Sequence, residues 1–348
     1  MAPSVIRPLD RVSVAPEVAA MPKAELHVHQ EWFARLDRVL ARREGRKPYD
    51  WRGWARRLMD EVPSGMPRLR RLAQTQPVPR EADTEPGNFV ERVEDLLEEA
   101  ARDGAVLVEA RFGSETVLRP HFMELFREAE RRTRERHPSF CAEAVVSLIL
   151  WYEPERVERL LQACLLAAEE GLAGIDLLYD AYDTEADWGT AYRVAERAAA
   201  VGLGVTAHAG EFSAANIAAA VRVPGLTRIG HAVHAAYDPR LLELLTESGV
   251  TVECCPSCNV VLGAVPSYEE HPIGRFVAAG IPVALCTDDP VQVCTTLGRE
   301  YAIAAALGFS VDDLLGFTRD ALRASFAPAE RRMRLLASLD ARQGTQQR

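Results

Sequence analysis

The sequence contains no continuous apolar stretch of the roughly eighteen residues that a membrane-spanning helix needs. Residues 1–20 include Arg7 and Arg11 but lack the apolar core of a secretory signal. Neither a transmembrane protein nor a protein with such a signal is indicated. We therefore expect a cytoplasmic protein that does not act at a membrane.

An excess of positive charge is also missing. The formal net charge is −10 at pH 7, and the isoelectric point is about 5.4. Proteins that capture nucleic acids use lysine and arginine to neutralise phosphates, so this balance disfavours a nucleic-acid partner. A small uncharged or cationic ligand is the better expectation.

The cysteines form no recognisable disulfide framework. There are seven, an odd number, and they lie between Cys141 and Cys294 in a chain of 348 residues. We expect reduced thiols. Cys254, Cys255 and Cys258 could be interpreted as a structural zinc or redox motif, but no second pair stands at the spacing of a zinc finger. Packing at the end of a strand is the preferred interpretation.

Apolar residues are plentiful, at 48%, and charged residues make up 26%, as in an average soluble globular protein. The strongest pattern is a series of short apolar or β-branched runs, most of them followed by a segment with helical periodicity. Eight runs are predicted as strands: residues 24–29, 105–112, 141–150, 174–179, 204–208, 227–231, 250–255 and 283–288. Alternating strands and helices pair in parallel, and eight repeats can close into a (β/α)8 TIM-type barrel.

A barrel of this kind accommodates the whole chain in one domain. We predict a single domain over residues 1–348, with a structured core at about 21–338 and a frayed tail at 340–348. Residues 42–87 interrupt the alternation of strands and helices between the first two strands, and further helices follow the eighth strand. Because loops at the carboxyl ends of barrel strands shape the substrate pocket, the 42–87 insertion is a candidate lid.

Metal-binding side chains stand at the ends of predicted strands. The first strand carries His27 and His29, which strand alternation puts on one face. His208 ends the fifth strand and Asp288 ends the eighth, where barrel enzymes keep their catalytic groups. Three histidines and a carboxylate can bind zinc and leave a position for water. We predict one zinc ion per chain on these four residues.

Five short motifs, in this order, resemble those of the adenosine deaminase family. They are residues 22–29 (PKAELHVH), 208–211 (HAGE), 230–231 (GH), 255–256 (CP) and 287–290 (TDDP). The resemblance covers roughly residues 21–336. It implies the same barrel, the same zinc site and the hydrolytic deamination of adenosine or a related 6-aminopurine nucleoside or base.

By the same resemblance, Glu211 protonates the ring nitrogen beside the carbon under attack, while His231 and Asp289 orient and deprotonate the water on the zinc. Zinc lowers the pKa of its water from nearly 16 to about 7, which supplies hydroxide at neutral pH. The residues placed at the substrate are Glu31, Tyr179, Gly210 and Asp289.

Two segments depart from the family's usual pattern. The first motif continues as Gln30, Glu31 and Trp32, where the family has leucine, an acidic residue and glycine. Glu31 can still bind a sugar hydroxyl, whereas Trp32 can reshape the pocket near a ribose. Tyr179 takes the position of a family glycine, and it either contacts the base or fills the barrel mouth. Adenosine is therefore one candidate among the aminopurines.

Two other functions stay open. An amidohydrolase that acts on another amino-heterocycle, an amide or an ester would keep the barrel and the metal. Many such enzymes hold two metals with a carboxylated lysine on the fourth strand, and residues 174–180 contain no lysine. A non-catalytic zinc-binding protein would keep the fold, yet Glu211, His231 and Asp289, which serve chemistry alone, are all present. The sequence carries no signal of the oligomeric state.

Overall fold

The computed structural model describes residues 7–10, 12–30, 34–179 and 184–346. Its strands form one parallel sheet in which each strand pairs with the next along the chain. The strands are Lys23–His29 (β1), Ala105–Gly113 (β2), Cys141–Ile149 (β3), Gly174–Leu178 (β4), Gly204–Ala209 (β5), Leu226–His231 (β6), Thr251–Cys254 (β7) and Val283–Leu285 (β8). All eight predicted strands and the (β/α)8 barrel are confirmed.

The ring closes where the chain that leaves β8 meets β1. Asp288 pairs with Val28 as an isolated parallel bridge. The backbone N–H of His29 donates to the carbonyl of Asp288, and that of Asp288 donates to the carbonyl of His27, both at 2.8 Å. The closure therefore lies at the residues that were predicted to bind zinc.

Helices alternate with the strands and cover the outside of the barrel. They are Pro16–Ala20 (α1), Ala34–Glu44 (α2), Trp51–Glu61 (α3), Met66–Gln74 (α4), Pro86–Arg102 (α5), Phe122–Arg136 (α6), Pro154–Glu169 (α7), Gly189–Ala200 (α8), Ile217–Ala220 (α9), Pro239–Ser248 (α10), Pro256–Leu262 (α11), Ile273–Ala278 (α12), Leu297–Ala306 (α13), Val311–Ala324 (α14) and Ala329–Gln346 (α15). Short 3-10 turns lie at Arg80–Thr84, Ser114–Leu118 and Val233–Tyr237. Among the described residues, no helix has both the length and the apolar character to cross a bilayer.

Local sequence signals explain several helix boundaries. The Asp238 side chain accepts a hydrogen bond from the N–H of Arg240 at the start of α10, and Pro239 occupies its first position. The same helix ends at Gly249, whose φ of 68° is the left-handed conformation that glycine adopts without strain. α14 begins with a reciprocal capping box between Ser310 and Asp313.

The insertion between β1 and β2 is fastened to the carboxyl face of the barrel. At the turn before α4, the N–H of Gly65 donates to the carbonyl of Leu262 at 2.7 Å. The Arg68 guanidinium donates to the carbonyls of Met59, Val62 and Val261 at 2.8–3.0 Å. Leu262 and Val261 belong to α11, which follows β7. The segment predicted as a candidate lid thus forms a wall tied to the barrel in this structure.

The C-terminal helix is longer than expected. We predicted a frayed tail from Asp340, but α15 continues to Gln346. Leu339 is buried, and the Asp340 carboxylate lies 2.9 Å from the Arg319 guanidinium of α14. These contacts hold the start of the polar segment against α14.

The ring of Phe326 packs against two glycines where β4 and β5 begin. A Cβ atom on Gly204 would lie 2.1 Å from the ring, and one on Gly174 would lie 2.4 Å from it. The Arg228 guanidinium covers the ring at 3.6 Å from its centroid. Because the ring is held between these groups, the two strands need residues without a side chain here.

We predict that Gly204→Ala lowers the free energy of unfolding by roughly 1–3 kcal/mol, because the added methyl group overlaps the Phe326 ring. Gly316→Ala is the control, since a Cβ there meets no described atom within 4 Å and the residue lies inside α14. It should raise the free energy of unfolding by about 0.5–1 kcal/mol. Denaturant titration measures both, and equal stability of the two variants would contradict the packing.

Candidate active site

Four residues predicted to bind zinc come together at the carboxyl end of the barrel. The His29 Nε2 atom lies 3.1 Å from His27 Nε2, 3.2 Å from His208 Nε2 and 3.2 Å from Asp288 Oδ1. The His27 Nε2 atom lies 3.5 Å from Asp288 Oδ1. All four residues are buried. Their nitrogen and oxygen atoms converge on one point, so together they could hold a cation.

Two buried carboxylates orient two of these histidines. The His27 Nδ1 atom lies 2.9 Å from Glu253 Oε2, and the His208 Nδ1 atom lies 3.0 Å from Asp176 Oδ1. An ionised carboxylate only accepts hydrogen bonds, so each Nδ1 carries the proton and donates it. The Nε2 atoms of both rings are left with unshared electron pairs that face into the site.

Arg111 keeps both carboxylates ionised. Its guanidinium lies 3.1 Å from Asp176 Oδ2 and 2.5 Å from Glu253 Oε2, and all three side chains are fully buried. Burial alone would raise the pKa of both carboxyls, but the charge of Arg111, joined at Glu253 by that of Arg228, outweighs burial and holds both pKa values well below their usual range. For the His208 imidazole burial acts in the other direction and lowers the pKa to about 4, so its ring is neutral at pH 7.

His231 has the opposite hydrogen-bonding pattern. The Asn259 amide oxygen lies 3.1 Å from His271 Nε2 and accepts its hydrogen, so the amide nitrogen faces the site as a donor. That nitrogen lies 3.2 Å from His231 Nδ1 and 3.3 Å from Glu211 Oε1. Since His231 Nδ1 accepts, Nε2 carries the proton of the neutral ring. Burial lowers the pKa of His231 well below its usual value, which keeps the ring neutral.

Glu211 lies beside this pair. Its Oε2 atom is 3.7 Å from His231 Nε2, and its side chain is buried. Burial, together with the nearby carboxylates of Asp288 and Asp289, raises the pKa of Glu211 well above its usual value. The carboxyl group is therefore suited to carry a proton at neutral pH and to donate it.

The backbone is strained where the site residues leave their strands. His231, Ala232 and Asp288 have φ values of 67°, 46° and 61°. Residues other than glycine rarely adopt this left-handed region, and such strain concentrates at functional sites. The bonds that close the barrel at Asp288 offset the strain there. Such strain is expected where the direction of a side chain is needed for function, even at a cost in the stability of the protein.

Gly210 brings the ends of β5 and β6 together and does not line the cavity. Its φ is 80°, and a Cβ would lie 2.7 Å from the Ile217 side chain and 2.9 Å from the Ala232 backbone. Its carbonyl accepts a hydrogen bond from the His234 N–H at 3.0 Å. The glycine predicted to contact substrate therefore places Glu211, the next residue.

A cavity of about 270 Å³ opens above these residues. Among the described residues its buried floor comprises His29, His208, Glu211, His231, Asp288 and Asp289. Leu178 lines the cavity, whereas Tyr179 packs against Trp188 with ring centroids 5.0 Å apart. Successive strand residues face opposite sides, and Asp176 and Leu178 share the inner side. This parity turns Tyr179 away from the cavity. Glu31 and Trp32 lie outside the described residues.

The cysteines near the site are reduced and buried. All seven cysteines are free. The thiol of Cys258 lies close to Asp288 and Asp289, with the ligand-type atoms of the three residues within 4.8 Å of one another. Burial and these two carboxylates raise the pKa of the thiol well above its usual value. A protonated thiol is a poor metal ligand, so the geometry agrees with packing rather than a cysteine-based metal site.

The sequence model of the adenosine deaminase family matches residues 78–342, which is most of the chain and includes Asp176, His208, Glu211 and Asp288. The chain belongs to the adenosine deaminase family. Two of its relatives carry the names of different deaminases. Adenine deaminase of Rhizobium leguminosarum bv. trifolii is 36% identical over 61% of this chain and 66% of its own length. Aminodeoxyfutalosine deaminase of Acidothermus cellulolyticus is 32% identical over 86% of each chain.

Solved structures of this barrel include similar proteins. Adenine deaminase of Arthrobacter aurescens superposes with a TM-score of 0.75 at 25% identity, over 92% of this chain and 99% of its own. An amidohydrolase of Burkholderia ambifaria, described with bound zinc, gives a TM-score of 0.76 at 20% identity over 97% and 96% of the two chains. The latter likeness shows the fold alone.

We predict that Arg111→Met destabilises the protein by about 3–5 kcal/mol, because Asp176 and Glu253 would remain buried without their cation. Arg131→Met is a matched control, since Arg131 also bridges two carboxylates, Glu128 and Glu135, but is exposed. It should leave stability unchanged within error. Thermal or denaturant unfolding compares the variants, and a stable Arg111→Met protein would refute the structural role.

Proposed function

We propose that this member of the adenosine deaminase family is a zinc-dependent hydrolase that converts a 6-aminopurine, such as adenosine or a related nucleoside or base, to the 6-oxo product and ammonia. One observation carries the proposal. The carboxylates that accept hydrogen bonds from Nδ1 of His27 and His208 leave the two Nε2 atoms without a proton, and these atoms face one point together with His29 and Asp288. Unshared electron pairs directed at each other in a buried site repel unless a cation lies among them.

The donor set fits zinc. Three imidazole nitrogens and one carboxylate oxygen are ligands that zinc prefers, and catalytic sites of this kind leave one position open. By distance alone His231 could replace His29, because the ligand-type atoms of His27, His208, His231 and Asp288 lie within 4.8 Å of one another. Its tautomer argues against this, since His231 Nε2 presents a hydrogen. We assign His27, His29, His208 and Asp288 as the ligands of one zinc ion.

The relatives support the type of reaction. The rhizobial and Acidothermus proteins carry the names adenine deaminase and aminodeoxyfutalosine deaminase, so both names specify removal of an amino group. The Burkholderia amidohydrolase was crystallised with zinc. The seven free cysteines fit our expectation of a cytoplasmic enzyme.

When bound, zinc would supply a Lewis acid that makes water nucleophilic at neutral pH. The residues of this chain then supply proton transfers. Glu211, held protonated by burial and by its acidic neighbours, donates its proton to the ring nitrogen beside the carbon that carries the amino group. Protonation at that nitrogen draws electrons from the carbon and makes it open to attack.

His231 and Asp289 act on the attacking water. The neutral His231 ring donates a hydrogen bond from Nε2, because its Nδ1 is occupied by Asn259. This donor orients the water oxygen. Asp289 lines the floor next to Asp288, and its carboxylate accepts the proton that the water loses. Asp289 passes this proton to the amino group, which leaves as ammonia, and the remaining hydroxyl proton returns to Glu211 as the 6-oxo group forms.

A panel of adenine, adenosine, deoxyadenosine, 5′-modified adenosines and other amino-heterocycles tests the proposal by ammonia release. We expect turnover of at least one 6-aminopurine, and a loss of about 10²–10⁴-fold in kcat for Glu211→Gln, which keeps the shape but holds no acidic proton. Activity should also fall as pH rises through the raised pKa of Glu211, since only the protonated carboxyl donates.

Metal content and unfolding temperature of Glu211→Gln serve as controls and should match those of the parent protein. Full activity of this variant would remove the proposed proton donor. Turnover of an amide or ester with no reaction of any aminopurine would favour a different amidohydrolase instead.

We predict one zinc per chain, bound about 10–100-fold more weakly in Asp176→Asn, because the amide would turn its one acceptor oxygen to Arg111 and leave a donor facing His208 Nδ1. Glu143→Gln is the control, since Glu143 is a buried carboxylate of β3 that pairs with Arg127 and Arg331 and contacts no histidine among the described residues. Its zinc affinity should be unchanged in competition with a chromophoric chelator. Two ions per chain would contradict the single-metal site.

A further inference from the structure

A single amide group lies between the two residues proposed to donate hydrogens during the reaction. The Asn259 amide nitrogen lies 3.3 Å from Glu211 Oε1 and 3.2 Å from His231 Nδ1. On its other side, the amide oxygen lies 3.1 Å from His271 Nε2. All four side chains are buried, and neither Asn259 nor His271 is among the described residues that line the cavity. Asn259 therefore contacts both reaction groups from behind the cavity floor.

The backbone of Asn259 is fixed by hydrogen bonds on both sides. Its N–H donates to the carbonyl of Cys255 at 2.9 Å. Its carbonyl accepts from the N–H groups of Gly263, Ala264 and Val265 at 2.8–3.2 Å, at the end of α11. With the backbone held in this way, one motion of nearly equal shape remains to the side chain. It is a half-turn that exchanges the amide oxygen and nitrogen.

Such a half-turn would move the hydrogens of both reaction groups. An amide nitrogen donates through two hydrogens, and an amide oxygen only accepts. With the nitrogen facing the site, Glu211 Oε1 and His231 Nδ1 both accept, so the proton of Glu211 lies on Oε2 and the hydrogen of His231 lies on Nε2. In the reversed arrangement these hydrogens would lie on Oε1 and Nδ1 and point at the amide. Both arrangements contain the same number of protons.

His271 decides between the two arrangements. Burial lowers the pKa of His271 to about 3, so its neutral ring carries one hydrogen. Its Nδ1 atom is buried and has no hydrogen-bond partner among the described residues. A hydrogen on Nε2 bonds to the Asn259 oxygen, whereas the reversed arrangement would put that hydrogen on Nδ1, without an acceptor. Buried N–H groups without an acceptor are rarer in proteins than buried acceptors without a donor, so the first arrangement is favoured.

The arrangement that His271 favours is also the one that suits the proposed reaction. Glu211 and His231 both line the cavity floor, and Glu211 Oε2 lies 3.7 Å from His231 Nε2. Their hydrogens are then on the atoms that face away from the amide. The reversed arrangement would leave His231 Nε2 bare, so that it could compete with His29 as a metal ligand. Its ligand-type atom lies within 4.8 Å of those of the other three assigned ligands.

We propose that Asn259 and His271 are positioning residues of the reaction. His271 fixes the direction of the Asn259 amide. The amide in turn fixes which atom of Glu211 and which atom of His231 carries the hydrogen. The proposal rests on the proposed deaminase function for the roles of Glu211 and His231. The hydrogen positions themselves are measurable without turnover.

Nitrogen NMR of the zinc-loaded full chain, prepared with isotope-labelled histidine, measures these positions directly. The chain contains eight histidines, so each signal can be assigned by its loss in a single variant. We expect the hydrogen of His231 and of His271 on Nε2, and the hydrogens of His27 and His208 on Nδ1. A hydrogen on Nδ1 of His231 or of His271 would overturn the proposal.

Asn259→Asp replaces the amide nitrogen by an oxygen at almost unchanged size. A carboxyl group holds at most one hydrogen, so it cannot donate to Glu211 and His231 together, and at least one of them must reverse. We expect kcat to fall about 10²-fold while KM changes less than about threefold, because the loss concerns proton positions and not substrate contacts. Zinc content should stay at one ion per chain. A kcat equal to that of the parent protein would contradict the role of Asn259.

His271→Leu removes the donor to the amide oxygen, and His271→Gln can replace it through its own amide nitrogen. We expect kcat to fall about tenfold in the leucine variant and to recover to within about threefold of the parent in the glutamine variant. Ser257→Ala is the control, because Ser257 is a buried residue of α11 whose hydroxyl contacts Tyr268 and Arg299. It should retain the parent kcat. Equal losses in the two His271 variants, or an equal loss in the control, would show a merely structural role and overturn the proposal.

Failure of this proposal is distinguishable from failure of the proposed function. Deamination of an aminopurine at the parent rate by Asn259→Asp would overturn the positioning roles and leave the deaminase function intact. Absence of aminopurine deamination in the parent protein would refute the proposed function and, with it, the positioning roles in that reaction.

Discussion

The bond between the Arg111 guanidinium and its two carboxylates is the interaction on which the active site depends. Arg111 stands on β2, Asp176 on β4 and Glu253 on β7, and through the carboxylates they orient histidines on β1 and β5. Charges in so dry an interior are tolerated because each has an opposite partner. The register of five strands is therefore tied to the direction of two imidazole rings, and a shift in any of these strands would disturb the hydrogen bond that fixes the proton on at least one of them.

Sequence reasoning found the barrel and the residues that converge in it, because both depend on local patterns. Alternation of strands and helices predicted eight strands, and chemistry at strand ends predicted His27, His29, His208 and Asp288. The groups that control them were missed. Asp176 and Glu253 come together only after folding. The hydrogen bond from His271 to the amide oxygen of Asn259 likewise depends on the fold. A charged residue inside an apolar strand was the available signal, since it must find a partner.

Local geometry also changed the interpretation of the substrate pocket. Tyr179 matches a family glycine by position, yet strand parity puts Leu178 in the cavity instead. The net charge of −10 predicted an uncharged or cationic ligand, and this stays a prediction, because net charge averages over a whole surface while a ligand meets only the lining of its cavity.

The residues proposed to bind zinc and transfer protons belong to other elements than the helix that lines the outer cavity. The residues proposed for the reaction lie on or directly after strands whose register is tied to buried charges, so we expect few substitutions to be tolerated there. One side of α4, a helix of nine residues outside the barrel ring, lines the same cavity, whereas Gly65 and Arg68, which anchor the helix, are not part of that lining. Substitutions on the cavity-facing side of this helix would change the cavity lining without moving the residues proposed for the reaction. A protein built in this way can acquire new substrates by drift in one short segment.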